Sequence, residues 1–265
     1  MNKRFKLILV LSIALVAVAS VCRLSFVEAV HGNSLVARED SFAVEFSNCV
    51  ESIGVTLVQT EQARALIPNE FHLVGDGTPL TPLVVRTARC DIDLAGRKTS
   101  GGEIAQIGLV IVPPDFTGDI NNYTLWYYTT DAELANHLVR LGVSAQHVQN
   151  IAYGYQSGPA QIPVPFSVNI PRPGDPMFSL NGNVTRSETP SGSFLANWWQ
   201  KGRRGIVKMN TNVPSIFIGN ADLTLKTEAD NELGELISGG SIGFQILQQF
   251  NTFDNAHMAV RVGAP

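Results

Sequence analysis

The chain has 265 residues, 45% of them hydrophobic and 16% charged, with a formal net charge of −4. That balance supplies material for a sizeable core, and the absence of a basic stripe argues against nucleic acid as a partner. Twenty-three Gly and 14 Pro, spread among short apolar runs, favour a β-rich fold with many turns.

At the start, Lys3, Arg4 and Lys6 precede an apolar run from Leu7 to Val21. Basic residues before such a run have the layout of a secretory signal peptide. The run is about 15 residues long, short of the roughly 20 that a membrane span needs. Residues 1–29 are therefore read as a signal peptide cleaved after Ala29, with an earlier site at Ala17 and Ala19 and a retained anchor as alternatives. Cys22 follows the bulky Val21, which argues against lipid attachment. The expected location is secreted or periplasmic, with no stable membrane span after processing.

Residues 30–41 read as an exposed lead-in and 42–265 as a single β domain without internal repeats. Strands are expected at 42–47 and 53–60, a turn at "ALIPNEF" (65–71), and strands at 82–94, 103–113 and 122–130. The segment 131–141 is an amphipathic helix. Thr130 or Asp131 caps its first turn, Leu134, Leu138 and Leu141 share one face, and Gly142 ends it. Further strands are expected at 150–156, 163–170, 177–186, 193–199, 205–210, 215–218 and 221–227. A short helix near 230–237 and strands at 241–250 and 256–262 complete the chain. Many strands with two helices predict a closed or nearly closed antiparallel barrel, or two packed sheets.

Once the signal is removed, Cys49 and Cys90 remain. In an oxidising compartment they form either a disulfide or two buried thiols. A bridge closing that loop contributes about 3–4 kcal/mol in the chain-entropy model. The sequons at Asn122 and Asn183 are no more than chance provides.

In strand 82–94, alternation places Val84, Ala88, Cys90 and Ile92 on one face, and Arg86 falls among them. A charge on an apolar face must be paired, must meet a ligand, or must reach past a rim. The guanidinium suits a carboxylate or phosphate, and an acid such as Glu103 is a candidate partner. Glu103 opens an apolar strand after Gly101 and Gly102, either as a pocket acid or as a solvated strand end. His137 lies four residues after Glu133, the spacing of a surface pair. His147 follows the helix exit and could move protons near neutral pH. In each of the aromatic clusters Trp126–Tyr127–Tyr128 and Trp198–Trp199, alternation sends neighbours to opposite faces. The dispersed histidines give no metal spacing, and no dinucleotide loop or serine elbow is present, so neither a metal nor a cofactor is expected.

Several segments together resemble the acetoacetate decarboxylase-like superfamily. "ALIPNEF" is similar to its early turn, "RTARCDIDLAGRKTSGGEIAQIGLVIVPP" to its strand pair with a pocket glutamate at Glu103, and "YYTTDAELANHLVRLG" to its strand and helix. "GIVKMNTNVPSIFIGNADLTL" is compatible with its later strands. The resemblance implies a β-barrel or cone and a small-molecule site. It also implies a lysine pair after the helix exit, the first lysine attacking a ketone with its pKa lowered by apolar surroundings and the neighbouring cation. Ala145 and Gln146 occupy those places here. An alanine methyl cannot form an imine. Lys98, Lys201, Lys208 and Lys226 are the residues that could supply an amine from elsewhere.

The expected function is binding of a small, partly apolar organic ligand, a carboxylate or a carbonyl compound, without Schiff-base chemistry, with Arg86, Glu103 and Ala145 at the site. One alternative is a lyase, decarboxylase-type enzyme or hydrolase using Glu103 with Arg86 or His147. Another is a non-catalytic cell-surface module. A homo-oligomer stays open.

Overall fold

The computed structural model describes residues 40–171 and 176–263. The expected signal peptide, Cys22 and most of the lead-in lie outside the described residues, while Asp40 and Ser41 are exposed.

The first strand, β1 (Ser41–Gln59), runs through the segment expected to divide two strands. Asn48 takes a φ of +52° and the register shifts between Ser47 and Val50, so the polar stretch is a bulge inside one strand. A short helix, α1 (Thr60–Ala65), follows and was not expected. Then come β2 (Leu80–Leu94), β3 (Arg97–Val110) and β4 (Ile120–Thr129), each antiparallel to the one before. Helix α2 (Ala132–Leu141) leads into β5 (Ala145–His147), β6 (Ala152–Tyr155), β7 (Val164–Ile170) and β8 (Phe178–Thr185). The chain ends with β9 (Phe194–Gly202), β10 (Gly205–Val213), β11 (Phe217–Thr227), helix α3 (Glu232–Leu236), β12 (Ser241–Gly243) and β13 (Leu247–Gly263). β11 also joins two expected strands into one.

The barrel closes because β1 pairs with β2 on one edge and with β13 on the other, giving the cycle β1-β2-β3-β4-β9-β10-β13. Closure leaves those seven strands without a free edge. β11, β8, β7 and β6 continue the sheet from β13. Alternation then separates two cores. Val44, Phe46, Ile92, Ile104, Tyr127, Trp198, Met209 and Val260, drawn from all seven barrel strands, form one cluster with Leu134, Leu138 and Leu141 of α2. This is the inner face. The opposite parity, including Val85, Ile107, Trp126 and Phe250, packs against Phe166, Val168, Leu180 and Leu225 of the extension and Leu233 of α3. Burying each such side chain stabilises the fold by about 1.5–3 kcal/mol.

Cys49 and Cys90 are disulfide-bonded between β1 and β2, with Cα atoms 4.3 Å apart. Both sit in the inner cluster. The reading as two thiols does not hold.

The connection after β4 positions the site. The Asp131 carboxylate accepts a hydrogen bond from the Leu134 amide at 2.8 Å and fixes the start of α2. Gly142 ends the helix at φ +104°, and a Cβ there would come within 2.7 Å of the Gly202 Cα. Glycine is therefore required for backbone conformation and for close approach to β9. The Ser144 amide then donates to Gln200 Oε1 at 2.7 Å. β4 pairs with β9 only up to Tyr123 and Trp199; beyond that, β5 pairs parallel with Tyr127–Thr129.

Candidate functional site

The strand registers place one row of residues across six neighbouring strands. Gln249 faces Ile53, Ile53 faces Arg86, Arg86 faces Gln106, Gln106 faces Tyr127, and Tyr127 faces Ala145. Directly opposed residues share a face of the sheet. Tyr127 belongs to the inner cluster and Ala145 packs against it, so the row lies on the inner face of the barrel.

Arg86 is paired, as its parity requires, but the partner is Glu51 and not Glu103. Arg86 Nε donates to Glu51 Oε1 at 2.5 Å, with side-chain exposures of 15% and 6%. Asn251, opposite Glu51 in the register, donates through Nδ2 to Glu51 Oε2 at 3.2 Å. Gln106 Nε2 donates to Thr124 Oγ1 at 3.1 Å. Two buried polar atoms in this belt have no hydrogen-bond partner among the described residues: the Tyr127 hydroxyl and Asn251 Oδ1. Burial pushes the Tyr127 hydroxyl far above its ordinary range, with the Arg86 charge pulling it back and Asp131 adding to the rise. It therefore stays protonated and can donate.

Glu103 lies on the other face. It opposes Arg89 in the register, its carboxylate stands 3.9 Å from Arg89 Nε, and Thr130 Oγ1 donates to it at 3.1 Å. Arg86 and Glu103 therefore do not share a pocket. His147 is exposed at the end of β5. His137 meets the Phe42 ring at 5.1 Å between centroids, while Glu133 pairs with Arg97 instead of His137. Of the sequons, Asn122 is buried and Asn183 is exposed.

The four described lysines lie off the inner row. Lys98 and Lys201 pair at the surface with Asp93 and Glu70, and Lys226 is exposed on β11. Lys208 is buried, but it belongs to the parity of Trp199, on the outer face. Its Nζ donates to Asp115 Oδ2 and Thr117 Oγ1, both at 2.6 Å, and lies 4.9 Å from the Trp199 ring centroid. Burial would raise the Asp115 carboxyl, but hydrogen bonds from Lys208 and Thr117 and the Lys208 charge outweigh it, so the group is held below its ordinary range.

Glu51, Gln106 and Asn251 were absent from the sequence reading. Glu51 lies between the two expected strands 42–47 and 53–60, and only the parity of the continuous β1 places it on the inner face. Gln106 and Asn251 had no signal beyond being polar in apolar strands.

No family model and no curated protein matches this sequence. Among solved structures, the chain is similar to the enduracididine biosynthesis enzyme MppR with HEPES buffer bound, at 12% identity and a TM-score of 0.56, over 83% of this chain and 86% of that one. It is similar to an acetoacetate decarboxylase-like enzyme from Sphingomonas wittichii RW1, at 11% identity and a TM-score of 0.55, over 86% and 93%. An acetoacetate decarboxylase structure matches at 9% identity and a TM-score of 0.54, over 83% and 89%. These likenesses establish an acetoacetate decarboxylase-like fold.

Proposed function

We propose that this chain is an exported protein that holds a small, partly apolar carbonyl compound on the inner face of its barrel, noncovalently and without Schiff-base chemistry. The observation that carries this reading is the group of polar side chains Glu51, Arg86, Gln106, Tyr127 and Asn251 on the inner face of the barrel. Burying polar groups is costly unless they find partners. Here the Tyr127 hydroxyl and Asn251 Oδ1 are buried without one. Arg86, Ile53, Gln249 and Ala145 in the same row keep partial exposure, so space adjoins them. A ligand carbonyl there would accept from the guanidinium of Arg86, and its apolar part would meet Ile53 and Ala145.

The proposal of noncovalent binding rests on Ala145. It stands in the row at the place where the resemblance implies the attacking lysine, and it offers a methyl group. The buried amine of Lys208 is on the far side of the sheet and bonded to a carboxylate. Export is supported by the basic and apolar N-terminal segment and agrees with the Cys49–Cys90 disulfide. The acid–base reading that joins Glu103 to Arg86 loses its support from their opposed faces.

The test is to denature the purified mature protein and identify the released low-mass compounds by mass spectrometry. A carbonyl compound released intact, with the protein mass unmodified, is the expected result. A covalent adduct on any lysine after borohydride treatment overturns the proposal.

A further inference from the structure

We infer that two copies of this chain form a weak two-fold dimer, in which Phe116 of each enters a cavity beside the β9–β10 turn of the other. Phe116 lies in the loop between β3 and β4 and is 87% exposed. Its φ of +56° belongs to the left-handed region that bulky side chains avoid. The loop is nonetheless fixed on both sides of it. Lys208 Nζ donates to Asp115 Oδ2 and Thr117 Oγ1, the residues before and after, at 2.6 Å. Asn121 and Asn197 both donate to the Thr117 carbonyl, at 3.0 and 2.8 Å. Lys208, Asn121 and Asn197 are buried. Buried polar groups thus hold a strained aromatic tip in solvent, where it gains nothing within its own chain.

The same molecule carries a hole for it. A cavity of ≈ 470 Å³ has walls from Ile206, Val262, Gly205 and Gly263 and charges from Lys201, Arg204 and Asp40. Ile206 and Lys201 oppose each other and share a face of the sheet with Lys208, two residues farther along β10. Knob and hole are therefore neighbours on one face, and a two-fold axis brings both contacts together. Charge favours the match. Around the hole, Lys201, Arg203 and Arg204 exceed their acids Glu70 and Asp40, whereas at the tip Asp115 and Asp119 exceed Lys208. Each ring buries about 150–250 Å² with a similar area of wall, so the interface stays below the roughly 1,200 Å² of a standard one and the dimer is weak.

Sedimentation equilibrium of the mature protein from about 1 to 100 µM tests this. Wild type is expected to pass from monomer toward dimer across that range. Phe116→Gly removes the knob and suits the positive φ, while Gly263→Trp fills the hole from a position where a Cβ meets nothing within 4 Å. Each is expected to weaken association by about tenfold or more. An equal mixture of the two variants is expected to associate more tightly than either alone, because one knob then meets one open hole. A wild type that stays monomeric overturns the inference. So does a dimer that neither variant weakens, or a mixture no tighter than its components.

Discussion

Arg86 and Glu51 meet at 2.5 Å on the inner face of the barrel, diagonal neighbours across the β1–β2 ladder. A buried pair of this kind contributes little net stability against an apolar pair of equal volume, but breaking it leaves an uncompensated charge. Arg86→Leu is expected to destabilise the protein by about 3–5 kcal/mol. The double variant Arg86→Leu with Glu51→Leu is expected to be more stable than Arg86→Leu alone. Urea denaturation of both variants checks this, and additive losses would contradict it.

Reducing Cys49–Cys90 removes a cross-link between residues 41 apart in sequence. In the chain-entropy model the loss is about 3–4 kcal/mol. The Cys49→Ala, Cys90→Ala protein is expected to melt at a lower temperature than the oxidised protein. An unchanged melting temperature would show that the bridge constrains little.

The Asp115 carboxyl is held below its ordinary range in the folded protein, its pairing with Lys208 outweighing the effect of burial. A depressed folded pKa gives stability that is present above the unfolded pKa and lost as pH falls through the folded one. Stability should therefore decline on acidification from the ordinary aspartate range down through the lower folded value. In Lys208→Met that part of the acid limb should flatten. Thermal melts across the acid range distinguish the two, and parallel curves would refute the link.

Gly142 has a φ of +104° and approaches Gly202 closely. Gly142→Ala should destabilise by more than about 1 kcal/mol, because the strained backbone and the contact with Gly202 both act against it. It should also disturb β5 and with it the position of Ala145. Amide exchange at Ala145–His147, faster in the variant, is the readout.

Much of the barrel was legible in the sequence, because period-two alternation survives wherever one face is buried. The lengths of β1, β11 and β13 were less legible. Asn48, Gly219 and the polar stretch Asn251–Asn255 look like breaks, yet tertiary pairing carries the strands through them. Gly219 lies inside β11 because a Cβ would fall 1.9 Å from the Thr185 carbonyl oxygen, so the glycine permits close strand approach. β5 spans three residues and has no periodic signal. The inward parity of Arg86 was readable, whereas its partner was hidden once β1 had been divided before Glu51. Tyr127 is one of three adjacent aromatics, and alternation separates it from Trp126 and Tyr128 without showing which face is the inner one.

The central claim is that the ligand sits beside Ala145 inside the barrel. It is tested most directly by saturation-transfer NMR of short neutral carbonyl compounds with wild type and with Ala145→Trp, whose indole would fill that space. The account predicts transfer to the compounds from wild type and none from a folded Ala145→Trp protein. Equal transfer from both would place binding elsewhere and contradict it.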